Sequence, residues 1–169
     1  MKLLIAYSSR TGNTKKVAEA LYEAAPEGSV LANMNDHPNP NDFALIFAGY
    51  WVDRGVPDAK AKAFLRTLTK KKVVLFQTLG ADPKSDHAYT VFANAGTYLS
   101  EGNQVVGVFA TQGAVDPALV EMMRHMPAGS AHNSPQMEAT VKEAARHPDE
   151  EDLNRAKAYM RSVIARFHG

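Results

Sequence analysis

Residues 8–14 read Ser8-Ser9-Arg10-Thr11-Gly12-Asn13-Thr14, directly after a short apolar run and directly before a helical pattern. Four hydroxyls, one carboxamide, one guanidinium and a glycine are thus gathered where a helix would begin. The first N–H groups of a helix have no partner within it and carry roughly half a positive charge, which makes that end an anion site. Gly12 permits positive φ and a close backbone approach, and the hydroxyls can donate to phosphate oxygens. An ordinary strand-to-helix turn needs a single capping residue, such as Thr or Asn, and this segment carries more than one turn requires. It is not a Walker loop, because no Gly-Lys-Ser/Thr follows at the required spacing, and it lacks the three-glycine dinucleotide fingerprint. A phosphate monoester is the ligand this loop suits.

The elements needed to position that loop follow from hydrophobic periodicity. Lys2–Tyr7 reads as a near-continuous apolar strand, the mark of a parallel strand covered on both faces. Thr14–Ala25 has helical spacing at Val17, Ala18, Leu21 and Tyr22, and stops before Pro26 and Gly28. Ser29–Met34 is a weaker strand, and Phe43–Ala48 a clear one. Asp58 can cap a helix reaching about Leu68, with Ala61, Phe64, Leu65 and Leu68 inward. Lys72–Gln77 is a fourth strand, His87–Ser100 a helix, and Gln104–Thr111 a fifth strand. This alternation predicts an α/β fold with a parallel sheet and helices on both faces. Pro117–Met126 and Glu150–Phe167 read as later helices, and the segment between them shows little periodicity beyond Met137–Ala145. The turn-rich stretch of about 113–149 is expected to be an excursion on one domain spanning 1–169, not a second domain.

The first loop resembles the flavodoxin signature, with Tyr7, Ser9, Gly12, Thr14, Ala18 and Leu21 at that motif's spacing and only Ala6 departing from it. The resemblance extends over the alternation from residue 1 to about 111. It implies a three-layer flavodoxin-like fold, a five-stranded sheet in the order 2-1-3-4-5, and FMN at the switch between strands one and three. Flavodoxin is itself the standing example of that rule. It also implies that Ser8 to Thr14 hold the phosphate, while the loops after strands three and four grip the flavin ring. The first of these contains Tyr50, Trp51, Val52 and Asp53. Trp51, the single tryptophan, offers a flat apolar surface for stacking, with Tyr50 as its rival. The second contains Thr78, Leu79, Gly80 and Ala81, which can supply backbone N–H groups to the ring's pyrimidine edge. Flavodoxins commonly place a tyrosine there, but here His87 and Tyr89 come several residues later. The second ring face is then either open or covered by something unusual, such as His87 or the excursion after Thr111.

Composition removes other classes. A net charge of +1 lacks the basic excess of a dedicated nucleic-acid binder. Without cysteine there is no disulfide, thiolate metal site or thiol nucleophile. The six histidines form no ligand pair at helical spacing, so no metal is expected. Met122, Met123 and Met126 are read as packing, and the acidic run Asp149–Asp152 as complementing a helix dipole. The opening apolar run is too short for a signal peptide and no stretch is long enough to enter a membrane, so a cytoplasmic protein is expected.

The expected function is an FMN-dependent electron carrier serving a partner reductase, with no catalytic residue of its own. The alternatives are an NAD(P)H-dependent flavin oxidoreductase of the same superfamily and a flavodoxin-like accessory protein of a reductase. The loops Gly49–Arg54 and Thr78–Pro83 look similar to a subgroup of flavodoxin-family proteins, some linked with reductases such as bilirubin reductase.

Overall fold

The computed structural model describes residues 1–168. In chain order it forms β1 (Leu4–Tyr7), α1 (Asn13–Glu23), β2 (Val30–Asn33), a 3-10 turn (Met34–Asp36), β3 (Leu45–Asp53), β4 (Val56–Pro57), α2 (Ala59–Thr67), β5 (Lys72–Leu79), α3 (Asp86–Gly96), β6 (Gln104–Gln112), α4 (Pro117–Arg124), α5 (Pro135–Ala144) and α6 (Glu150–His168). The sheet order is β2-β1-β3-β5-β6, every neighbour pair on that path is parallel, and β4 is paired only with β3. With the two-residue β4 set aside, this is the expected 2-1-3-4-5 order of a flavodoxin-type α/β fold.

Alternate residues of each strand feed two cores, because successive side chains of a strand leave opposite faces. Leu4, Ala6, Ile46, Ala48, Tyr50, Val73 and Leu75 pack with α2 and α3 residues such as Leu65, Phe64 and Val91. Leu3, Ile5, Leu45, Phe47, Val74 and Phe76 face α1 and α6 through Val17, Leu21, Met160 and Val163. Burial on both sides explains why the strands read as apolar runs rather than as alternating ones. At the rim, Gly49 lets the Phe76 ring close over the backbone, since a Cβ there would lie 2.0 Å from its Cζ.

The third strand runs further than its apolar core suggests. Val52 and Asp53 turn back on Pro57 and Val56 in an antiparallel arm, through Arg54 (φ 52°) and Gly55 (φ 82°). Consecutive positive φ values mark the tight hairpin turn whose twist matches its strands. Asn94 Nδ2 donates to the Gly55 carbonyl at 2.8 Å and pins the arm to α3. The third helix starts earlier and ends sooner than expected, at Asp86 and Gly96, because Ser85 accepts from the Ala88 N–H as its cap.

The segment from Gly113 to Asp149 carries α4 and α5. Its α4 is capped by Asp116 and its α5 by Ser134, each with proline in the first turn. No residue of α4 is buried and only Ala144 of α5 is, whereas α1 buries Thr14, Val17, Ala18, Ala20 and Leu21. These two helices do not sit on the sheet. Among the described residues no helix is long and apolar enough to cross a membrane.

Candidate functional site

A cavity of about 530 Å³ opens at the C-terminal ends of the central strands, the place where an open α/β sheet holds its ligand. Ser9, Arg10, Thr11, Asn13 and Thr14 line one end of it. Gly12, at φ 100°, is the N-cap of α1 and, having no side chain, makes no cap hydrogen bond of its own. Ser9 Oγ accepts from the Gly12 N–H (3.2 Å) and the Lys15 N–H (3.3 Å). Among the described residues no acceptor meets the N–H groups of Asn13 and Thr14, the first two of the helix. A Cβ on Gly12 would touch nothing within 4 Å, so the space before the helix is open and the glycine is there for its φ. Unpaired donors facing an open end suit an anion.

Thr14 Oγ1 lies 2.8 Å from Thr78 Oγ1, which joins the first loop to the end of β5. If Thr78 donates, the Thr14 proton is left for a ligand. Trp51 and Val52 form one wall, and Thr78, Leu79, Gly80 and Ala81 the adjacent one. The end of β6 holds that second wall: Gln112 Nε2 donates to the Gly80 carbonyl at 2.8 Å, and the Gly113 N–H to the Leu79 carbonyl at 2.9 Å. The Arg10 guanidinium sits 5.5 Å from the Trp51 ring centroid and pairs with Asp116 at 3.0 Å.

Three expected residues stand elsewhere. Tyr50 is fully buried in the α2–α3 core, where its hydroxyl donates to Gln77 Oε1 at 3.0 Å. Strand alternation dictates this, because Tyr50 and Trp51 must leave opposite faces, and burial raises the Tyr50 phenol far above its ordinary pKa. Ser8 is buried too, its hydroxyl donating to Asp58 Oδ1 at 2.8 Å instead of facing the cavity. Asp53 belongs to the hairpin arm, and its neighbour Arg54 lines the cavity.

Asp58, expected only as a helix cap, does more. It caps α2 through the N–H groups of Lys60 and Ala61, holds Ser8, and its own N–H donates to the Trp51 carbonyl at 3.2 Å. Burial pushes its carboxyl above the usual range, and the Ser8 hydroxyl and the Ala61 and Lys60 N–H groups offset that only in part. Asp58 thereby fastens the first loop to the Trp51 strand, through its side chain to Ser8 and its backbone N–H to Trp51.

A model of the flavodoxin domain matches residues 4–161. The chain belongs to the flavodoxin family. It is 30% identical over 173 residues to the flavodoxin-like domain-containing protein BilS of Clostridioides difficile (strain CD3), with 97% of each chain covered. To the BilS of Clostridium symbiosum (strain WAL-14163) it is 26% identical over 183 residues, covering 97% of this chain and 96% of that one. Oxidised flavodoxin 2 from Bacillus cereus superposes with a TM-score of 0.56 at 18% identity, over 98% of this chain and 99% of that one. A flavoprotein in complex with FMN from Lactobacillus acidophilus NCFM gives 0.51 at 22% identity, over 64% of this chain and 92% of that one. At these identities the solved structures establish the shared fold.

The remaining cavity wall is one that the sequence reading missed. Met122, Met123 and Met126, expected as packing, line the cavity together with Met137 and Val141 of α5. The available signal was an amphipathic helix rich in methionine and flanked by turn residues, which periodicity alone cannot tell from a core helix. The expectation that acidic residues at the start of α6 serve only the dipole also needs correction. Asp152 is buried and takes hydrogen bonds from His147, Arg155 and the Asp149 N–H. Ligand-capable atoms of His147, Asp149 and Asp152 lie within 4.8 Å of one another, but these hydrogen bonds already engage both Asp152 oxygens. The cluster joins α5 to α6, and the His147 carbonyl accepts from the Ala114 N–H at 3.0 Å.

Proposed function

We propose that this flavodoxin-family chain binds FMN in the cavity and carries electrons to a partner reductase. The observation that carries the reading is the pair of unpaired N–H groups at Asn13 and Thr14, beside three cavity-lining hydroxyls (Ser9, Thr11 and Thr14) and on the same cavity as Trp51. FMN when bound supplies the redox chemistry, so the chain needs only to hold, orient and shield it. The helix end and the hydroxyls hold the phosphate; a single anion cradle without a dinucleotide fingerprint favours FMN over FAD. Trp51 offers its indole to the ring, and Thr78 to Ala81 border the ring's polar edge.

Reconstitution with FMN and FAD, followed by acid extraction and chromatography, tests the cofactor, and only FMN is expected to be retained. Trp51 emission is expected to fall strongly on loading and to return when the flavin is removed. A second reading, an NAD(P)H-dependent flavin oxidoreductase, draws support from the cavity's extension under α4 and α5 beyond the phosphate loop. Anaerobic mixing of the loaded protein with NADPH or NADH separates the two. Rapid bleaching by the nicotinamide alone supports the oxidoreductase, and bleaching that requires a co-purified reductase supports the carrier.

A further inference from the structure

The wall formed by Trp51 is a single surface, and a flat ring has two. Nothing from the loop after β5 supplies the other, since Thr78-Leu79-Gly80-Ala81-Asp82-Pro83 contains no aromatic residue. The nearby candidates do not line the cavity: Tyr89 is 58% exposed on α3, and His87 lies at the turn, 3.8 Å from where a Cβ on Gly55 would stand. The excursion, in contrast, brings Met123, Met126 and Met137 onto the same cavity as Trp51. None of these three is buried in a protein core, and Leu119 and Met122 beside them are 44% and 61% exposed. A half-buried apolar helix face turned toward a cavity leaves apolar surface in water until something apolar fills the space.

We propose that Met123, Met126 and Met137 form a methionine roof that lies on the face of the flavin ring opposite Trp51. This rests on the FMN reading above. The occupant is the ring and not a passing protein, because the roof is fastened to the phosphate loop itself. Asn13 Nδ2 donates to the Ala114 carbonyl at 3.0 Å, and Arg10 pairs with Asp116, the residue that caps α4. Gly113 passes so close to Asn13 that a Cβ would lie 3.1 Å from its carboxamide nitrogen. The loop that holds the phosphate therefore sets where α4 begins, and the roof stands over whatever the loop positions. Thioethers are polarisable, pack well on aromatic faces and fill irregular gaps through flexible side chains. The roof is thus a softer cover than an aromatic ring.

Binding in the dark of FMN and of riboflavin, which lacks the phosphate, separates the roof from the phosphate loop. The triple variant Met123→Gln/Met126→Gln/Met137→Gln is expected to weaken both flavins by a similar factor, about tenfold or more. Ser9→Ala is expected to weaken FMN and leave riboflavin nearly unchanged. Because the triple variant disturbs three positions, peroxide footprinting of the unaltered protein gives an independent readout by peptide mass spectrometry. Sulfoxide formation at Met123, Met126 and Met137 is expected to slow several-fold on FMN saturation, with exposed Met1 as the unchanged control. Full FMN binding with unslowed oxidation of all three overturns the roof alone, as does unchanged affinity of the triple variant for both flavins. An unaltered chain that binds neither flavin overturns the FMN reading and the roof with it.

Discussion

The Ser8–Thr14 loop and the proposed methionine roof line one cavity but are built on opposite terms. The loop is seven residues long and its geometry is local: one glycine at φ 100°, one serine bridging two N–H groups, and one helix start. Beneath it lie two cores packed on both faces of a parallel sheet. The roof methionines lie on or just past two short helices, α4 and α5, whose only buried residue is Ala144 and whose ends are held by Asn13, Arg10 and the His147–Asp152 cluster. A ligand site can therefore pair a rigid anchor for charge with a loosely packed cover for apolar surface. The anchor must aim donors to a fraction of an ångström, while dispersion contacts tolerate adjustment.

The difference is sharpest in backbone substitutions. Gly49→Ala drives a methyl into the Phe76 ring, and overpacking of this kind costs about 3 kcal/mol, so a fall in melting temperature of roughly 6–12 °C is expected. Gly129→Ala, in the roof linker at φ 80° with open space around it, meets only the left-handed backbone penalty of about 1–2 kcal/mol. Calorimetry on both variants checks the pair, and equal losses would mean that the roof is as tightly integrated as the sheet.

Next in size are the anchor's hydroxyls. Ser9→Ala and Thr14→Ala each remove a group placed to donate to a charged phosphate, an interaction worth roughly 1.5–3 kcal/mol. Titration of the apoprotein is expected to show FMN binding weakened about tenfold or more for each. Thr78→Val should show a smaller loss, because it removes only the partner that orients the Thr14 hydroxyl.

The latch and the hinge give the smallest effects. Arg10 and Asp116 form a partly exposed ion pair, and such pairs contribute about 0–1 kcal/mol, so Asp116→Asn should leave melting nearly unchanged. It should nevertheless speed peroxide oxidation of the roof methionines in the flavin-free protein. At the other end, Asp152 first, then Glu143 and Asp149, hold the His147 imidazolium above the ordinary histidine range, against its burial. A folded-state pKa raised above the unfolded value gives stability that is complete below the ordinary value of about 6.5. That stability is lost as pH rises through the raised value. Burial pushes Asp152 up, but hydrogen bonds from His147, Asp149 and Arg155 outweigh it, so its own contribution is lost only in acid. Melting curves from pH 6 to pH 9 should therefore fall for the native chain and be flatter for His147→Gln.

Much of the fold was legible because its signals are short-range. A strand covered on both faces must have an apolar centre, as Phe43–Ala48 and Val73–Phe76 have, and Asp58 announces α2 as a cap that the structure bears out. The hairpin at Arg54–Gly55 was not legible. It depends on a non-glycine residue taking positive φ under the pull of β4 pairing and of Asn94 from α3. Tyr50 shows a partial failure: the motif drew attention to two adjacent aromatics, and only the continuation of β3 past residue 48 assigned one to the core and the other to the cavity.

The sequence by itself determined the strand–helix alternation, the anion-ready loop at Ser9–Thr14 and the flavodoxin resemblance, since each rests on neighbours a few residues apart and on periods of two or 3.6. Only the tertiary structure decided that Ser8 belongs to Asp58, that the loop and β5 meet at Thr14 and Thr78, and that the methionines turn toward the cavity. An apolar helix face looks the same in sequence whether a sheet or a ligand is to cover it. What distinguishes the two is the placement of its ends, and here Asn13 and Arg10 set one end from about a hundred residues earlier in the chain.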